Sequence, residues 1–371
     1  MSLIPSRRSP GLLCLALALA FALVRGCAPT AAGVAATVEA ESVAADVQRV
    51  DAAVRAHGQA HARIAQARGD AASVAAAALL LAPRGAAADD RRTALGWLDE
   101  ALRRHPADAI LAWAGLRACG GDPACDRQSW LDLLARLQPG NAAVWVAHLE
   151  HADAAAPRVA LLERALAAPD WRPAATVLRA AVLDAWQAID LAPATAAAIE
   201  RLLGEDAQAG PVSGDRLTPA HKLAMAQAAD LHDLPGLAAP VAACRSHRDG
   251  AAACAPLWRR IASQGQSLLE AGHAAGRLAE LALAAGDDGG QRHWQAERAA
   301  IDWQGRQSVA LLQGEVDVAA FWSLLRARGE LAAFRHLLHQ AGLPLAPPPG
   351  HDGPGTTGAS PPWSSAGDDP G

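Results

Sequence analysis

Apolar residues recur at intervals of three and four along most of the chain. Ala94, Leu95, Leu98, Ala101 and Leu102 share one face of a helix, and Leu161, Leu162, Ala165, Leu166 and Ala168 repeat the arrangement. A third stripe runs through Leu268, Leu269, Gly272, Ala275, Leu278 and Ala279. Val and Thr are scattered among alanines, without the period-two alternation that marks a half-buried strand. The pattern predicts an all-α body of roughly fifteen short helices between residues 39 and 344. Its punctuation is regular: Gly69 before Asp70, Gly286 before Asp287 and Gly329 before Glu330 each set a left-handed C-cap glycine ahead of an acidic helix start. Such steps predict antiparallel helix hairpins.

The helical pattern stops at both ends. Arg7 and Arg8 precede a 13-residue apolar run, residues 12–24, that ends at Arg25, Gly26 and Cys27. A membrane-spanning helix needs about 20 apolar residues, so this run is too short to span and reads as an export signal over residues 1–26. Val24 and Gly26 fit a signal whose Cys27 receives lipid, whereas Arg25 departs from that pattern. Three fates stay open: lipidation of Cys27, ordinary cleavage near residues 28–32, and an uncleaved anchor. Ser6, Arg7 and Arg8 also suggest a twin-arginine signal, with Pro10 against it. Residues 27–38 are small, apolar and aperiodic, as expected of a flexible tether. Residues 345–371 are dominated by Pro, Gly, Ser, Thr and Asp and are expected to form a disordered tail, with Trp363 as its one anchoring side chain.

Composition narrows the partner class. Loss of residues 1–26 removes three arginines and no acid, taking the formal net charge from -5 to -8. An acidic chain whose single lysine is Lys222 lacks the clustered cations that phosphate neutralisation requires, so nucleic acid is not an expected partner. Alanine faces approach closely but bury little area at about 25 cal/mol per Å². Much of the packing therefore falls to Trp97, Trp113, Trp130, Trp145, Trp186, Trp258, Trp294, Trp303 and Trp322, each set among helix formers.

A repeat emerges in the middle of the chain. His105, Pro106, Ala107, Asp108 and Ala109, followed by Trp113, return as Gln138, Pro139, Gly140, Asn141 and Ala142, followed by Trp145. The prolines are 33 residues apart and the tryptophans 32; Trp171, Arg172 and Pro173 mark a third turn, 34 residues after Pro139. Ala94, Leu98, Ala101 and Pro106 reproduce the small, large, small and proline spacing of a second repeat helix. Over residues 90–175 the chain resembles the tetratricopeptide-repeat family. Leu149 and Ala152 stand where that family carries glycine and tyrosine, and residues 119–127 interrupt one unit. The resemblance implies a TPR-like solenoid of stacked α-α hairpins, a concave groove for peptides or proteins, and no chemistry.

The cysteines agree with an exported chain. Cys14 leaves with the signal, while Cys119 with Cys125 and Cys244 with Cys254 bracket short Gly- and Asp-containing turns. In an oxidising periplasm these predict two local disulfides, 119 with 125 and 244 with 254. Cys244, His247 and Cys254 could alternatively supply three zinc ligands, but structural sites usually show closer cysteine spacing and a fourth ligand.

Other candidate chemistry is sparse. His57 and His61, His148 and His151, and His336 and His339 each share a helix face, without a third ligand at a recognisable distance, and are expected on solvated helix surface. Gly286, Gly289 and Gly290 fall in an expected turn with no preceding strand, unlike a phosphate-binding loop. No cofactor and no metal are expected. The sequence favours a non-catalytic scaffold or adaptor of the bacterial cell envelope, periplasmic and either lipid-anchored or soluble, with a protein or peptide partner. The alternative is a periplasmic helical enzyme whose groups converge only in three dimensions, first sought at Glu150 with His148 and His151, or Glu297 with His293.

Overall fold

A computed structural model describes residues 35–349 except 84–85, 121, 123, 153–154, 187–190, 203–217, 230, 232–234 and 313–315, and side chains from residue 43 except 155–156, 176–177 and 226–229. The export signal, Cys27 and tail residues 350–371, Trp363 included, lie outside the described residues. The described residues form sixteen α-helices, one 3-10 turn at Ala251–Cys254 and no strand. In chain order these are α1 (Ala35–Arg68), α2 (Ala71–Leu81), α3 (Ala88–Arg104), α4 (Ala109–Cys119), α5 (Arg127–Leu137), α6 (Ala142–Glu150), α7 (Ala155–Ala167) and α8 (Ala174–Trp186). Then follow α9 (Pro193–Leu202), α10 (Pro219–Ala229), α11 (Ala238–Arg245), α12 (Ala255–Gln264), α13 (Leu268–Ala284), α14 (Asp288–Leu312), α15 (Val318–Arg328) and α16 (Glu330–Gln340). The first helix starts at Ala35, within the stretch expected as a tether, and α14 takes in Gly289 and Gly290, which were expected in the preceding turn.

Helix starts follow from side chains that satisfy orphan backbone N–H groups. Asp70 accepts from Ser73 N at 2.7 Å, Asp108 from Ile110 N at 3.0 Å and Asn141 from Ala143 N at 3.1 Å. Ser267 and Glu270 form a reciprocal capping box at the start of α13. Gly69, Gly286 and Gly329 all have positive φ, at 70°, 70° and 82°, as their places before acidic helix starts require.

Seven pairs of helices are joined by tight turns: α1 to α2, α3 to α4, α5 to α6, α7 to α8, α12 to α13, α13 to α14, and α15 to α16. Hydrogen bonds at or near six of these turns, all but that between α13 and α14, tie the hairpins together in order. His105 Nε2 lies 2.6 Å from Gly69 O. Trp113 Nε1 donates to Gln138 Oε1 at 3.1 Å. Asn141 pairs with Arg172, and Ala142 N donates to Asp170 O at 2.8 Å. Trp171 donates its backbone N–H to Gln264 Oε1 at 2.6 Å and its indole N–H to Glu270 Oε1 at 3.1 Å. Leu268 N then donates to Glu330 Oε2 at 3.0 Å, and Leu331 N to Gln266 O at 3.1 Å. The turn between α7 and α8 is the longest of the early ones. The proline that directly follows its helix end is Pro169; Pro173 precedes the next helix instead.

Helices that are apolar all round lie inside. α2 reads Ala-Ala-Ser-Val-Ala-Ala-Ala-Ala-Leu-Leu-Leu, with Ala75 and Ala78 fully buried, and packs against α1, α3, α4 and α8. α8 in turn touches α2, α4, α10 and α15, so elements distant in sequence share one core. Close approach depends on small residues. A Cβ on Gly58 of α1 would stand 3.0 Å from the backbone of Leu80 and Leu81, so the α1–α2 contact needs the glycine hydrogen. Ala94, Leu98 and Ala101 point inward as the periodicity predicts, whereas Leu269 is about half exposed and α13 buries Ala271, Ala274, Ala275 and Leu278. Trp113, Trp130, Trp145, Trp186, Trp258, Trp303 and Trp322 are buried; Trp97 and Trp294 are half-buried. Trp171, which the sequence marked only as a turn residue, is among the most buried side chains. At the edge, Asp46 of α1 accepts two hydrogen bonds from Arg201 of α9, each at 2.8 Å.

Candidate functional site

The loop between α4 and α5 is held by several independent ties. Cys119 and Cys125 are disulfide-bonded with Cα atoms 5.5 Å apart, and Cys119 is fully buried at the end of α4. Gly120 takes φ 53°, a left-handed conformation that ends the helix. Asp122 accepts from Ala124 N at 2.9 Å and pairs with Arg91 of α3 at 3.4 Å. Asp126 then caps α5 by accepting from Ser129 N at 3.1 Å.

Beside this loop lies an open cleft of about 480 Å³, lined by Ala124, Cys125, Asp126, Arg127, Gln128, Leu131 and His151. Leu131 lines it from within the core and is 1% exposed. Arg127 stands at the start of α5 with its NH1 3.5 Å from His151 Nδ1, just past the end of α6. The cleft thus offers a guanidinium fork, an imidazole and an amide beside the Asp126 carboxylate. The guanidinium suits a hydrogen-bond acceptor or an anionic group. The sulfur of Cys125 is held in the disulfide and offers no thiol.

The second cysteine pair, Cys244 and Cys254, is also disulfide-bonded, with Cα atoms 5.9 Å apart. His247 between them turns to Glu163 of α7, Nε2 to Oε1 3.1 Å, so the three residues do not converge as metal ligands. Among the described residues no cluster of three or more His, Cys, Asp or Glu could hold a metal ion, and no helix is long and apolar enough to cross a membrane.

His57, His61 and His148 depart from their expected place on solvated surface. His57 of α1 is half-buried, with Nε2 2.7 Å from Ala185 O and its ring 4.5 Å from that of Trp186. His61 and His148 are buried, and His148 Nε2 lies 3.0 Å from Leu131 O. Burial holds the imidazoles of His57, His61 and His148 below their ordinary pKa. His57 and His148 join helices at backbone carbonyls, which a helical-face count does not reveal. His336 is half-buried and His339 exposed on α16.

Glu150 reaches across to the backbone of Gly236. Its Oε2 accepts from Gly236 N at 3.1 Å, tying α6 to the segment before α11. His293 and Glu297 are both exposed, and His293 meets Trp294 edge-on at 4.7 Å. Sequence reasoning missed a buried charged group altogether: Arg179 of α8 is 3% exposed and faces the charges of Glu330 and Glu270. Its position on an apolar helix was the one available signal. Arg127 and Gln128 of the cleft left no signal beyond the nearby cysteine pair. No protein-family model, curated protein or solved structure matches the chain.

Proposed function

We propose that this chain is a non-catalytic protein-interaction scaffold exported to the bacterial cell envelope, built as a TPR-like stack of helix hairpins. The observation that carries the reading is the ordered row of hydrogen bonds that links six of the helix hairpins at or near their turns, from Gly69 to Glu330. The matching caps support it: His105 and Gln138 end their helices at φ, ψ of -128°, 63° and -134°, 56°, and Asp108 and Asn141 start the next at -91°, 108° and -97°, 112°. Stacked hairpins of this kind present an extended surface rather than a closed reaction chamber. Helices α9 to α11 stand between the fourth and fifth hairpins, and the α2 contact with α8 adds closure that an ideal nearest-neighbour stack lacks. The export segment and the two disulfides fit an oxidising compartment.

The proposed contact surface is the cleft beside the Cys119 to Cys125 loop, with Arg127, Gln128 and His151 receiving an acceptor-rich peptide segment. A photo-crosslinking residue placed at Gln128 in the exported protein should trap a discrete envelope partner, and the same residue at exposed Arg292 should not. Identical crosslinks from both positions, or none from Gln128, would count against the reading. Membrane attachment is tested separately, since Cys27→Ser should abolish lipid labelling and release the chain from membranes.

A further inference from the structure

Residues 343–349 read Leu-Pro-Leu-Ala-Pro-Pro-Pro, a segment too rich in proline to form a helix or a sheet ladder. Leu343 and Ala346 each precede a proline, which disfavours helical backbone there. Such a segment can be recognised through its carbonyls, because its prolines donate no hydrogen bond. Two adjacent side chains of α14 do so here: Trp303 Nε1 donates to Pro344 O at 2.9 Å, and Gln304 Nε2 donates to Leu345 O at 2.8 Å. Arg335 of α16 fixes the amide from the other side, its Nε donating to Gln304 Oε1 at 3.1 Å.

We propose that Trp303, Gln304 and Arg335 form a binding site for a proline-containing peptide of another polypeptide, and that this chain's own residues 343–347 occupy it in cis. The donors are built into the fold: Trp303 is 6% exposed and Gln304 3%, so without an occupant two buried donors lose these acceptors. The occupant is lightly held. Pro344 and Leu345 are exposed, Leu345 to 46%, so the backbone rather than their side chains carries the attachment. It is delivered by a helix-ending turn in which Gly342, φ 66°, donates to His339 O at 3.1 Å and Leu343 N to Leu338 O at 2.8 Å. Proline-rich segments are generally recognised on aromatic-lined surfaces, and here an aromatic N–H and a neighbouring amide hold two consecutive carbonyls. The high local concentration of the tethered segment keeps the site closed until a competing peptide displaces it. This surface is separate from the cleft at Arg127, and its test does not involve that cleft.

The test uses the full chain with a specific protease site inserted between Gly342 and Leu343, cut after folding. The probe is an N-acetylated peptide of residues 343–349 carrying a C-terminal fluorophore, followed by anisotropy. The cut chain, freed of its fragment, should bind the probe about tenfold or more tighter than the uncut chain. Fragment retention on the folded cut chain counts equally as recognition in trans. Gln304→Met, which keeps the side-chain bulk, should weaken probe binding by about threefold to tenfold with helix content unchanged. Trp303→Phe gives a second readout, and loss of the Trp303 indole N–H shift change on probe addition needs no variant at all. Release of the fragment from a still-helical chain that binds no probe would overturn the proposal. A probe with every proline replaced by alanine should bind more weakly, because it lacks the backbone that proline fixes, and equal binding would overturn the proposal. Dimerisation through exchanged residues 343–347 would overturn it in favour of a second copy of this chain.

Discussion

The side-chain amide of Asn141 pairs with the backbone of Arg172 on both of its edges. Its Oδ1 accepts from Arg172 N at 2.9 Å and its Nδ2 donates to Arg172 O at 2.7 Å. The remaining capacity goes to Ala143 N and Gln138 Oε1. One amide, 4% exposed, therefore caps α6 and joins two successive hairpin turns.

Asn141→Ala should cost about 2–4 kcal/mol, a lost cap together with buried groups left unpaired. Asn141→Asp separates the two roles. Aspartate caps as well as asparagine but sets carboxylate oxygens against Gln138 Oε1 and Arg172 O, so it too should be destabilising. Urea unfolding followed by circular dichroism measures both, and an Asp variant as stable as the parent would show that only the cap matters.

Gly115 and Gly96 should respond to alanine with opposite signs. Both lie inside helices, where glycine ordinarily costs up to about 1 kcal/mol relative to alanine. A Cβ on Gly96 would meet nothing within 4 Å, so Gly96→Ala should stabilise. A Cβ on Gly115 would stand 2.4 Å from the Trp130 ring, so Gly115→Ala should destabilise by about 1–3 kcal/mol. Shrinking the ring with Trp130→Leu should remove the alanine penalty at 115, and strict additivity of the two changes would refute the contact.

Stability should fall as pH drops below about 6.5, the ordinary histidine value. His273 packs on Trp258 with ring centroids 5.7 Å apart, and its Nε2 is buried without a hydrogen-bond partner among the described residues. Burial, with Arg277 and Arg298 nearby and Glu280 opposing them, pushes it down to about 4. Between these two values the unfolded chain takes up a proton that the folded chain refuses, a loss of up to about 3 kcal/mol from this residue. His57, His61, His148 and His221 act in the same direction. Asp51 and Asp302, whose carboxyls burial raises, favour the folded state more as pH falls toward the ordinary carboxylate range and offset part of the loss. Urea midpoints at pH 7.5, 6 and 5 should decline for the parent and decline less for His273→Leu; parallel curves would remove His273 from the account.

Peptide mapping without reduction should recover the 119 to 125 and 244 to 254 links. Replacing Cys119 and Cys125 together by serine should lower stability by about 2–3 kcal/mol and speed amide exchange in the 120–127 loop. Unchanged exchange would mean that Asp122, Asp126 and Arg91 hold the loop without the disulfide.

Much of the local structure was legible because its causes lie within one turn of helix. Ala94, Leu98 and Ala101 are buried because three- and four-residue spacing puts them on one face, and Gly69 ahead of Asp70 is a turn because glycine tolerates positive φ. The cysteine pairs were legible for the same reason, since six and ten residues of separation leave little choice of partner. Trp171 was misjudged as mere punctuation because its partners, Gln264 and Glu270, are 93 and 99 residues away. His57 was misplaced on the surface because Ala185 O is 128 residues distant.

The sequence by itself determined the helices, their caps, the hairpin turns and the disulfide partners, all set by contacts between near neighbours in the chain. Only the tertiary structure decided which turns bond to which, that α2 meets α8, that Arg127 and His151 share a cleft, and that Trp303 and Gln304 hold the proline segment. Those depend on which alanine faces approach closely enough to bring distant donors and acceptors within about 3 Å, a choice that composition leaves open when so many faces are nearly alike.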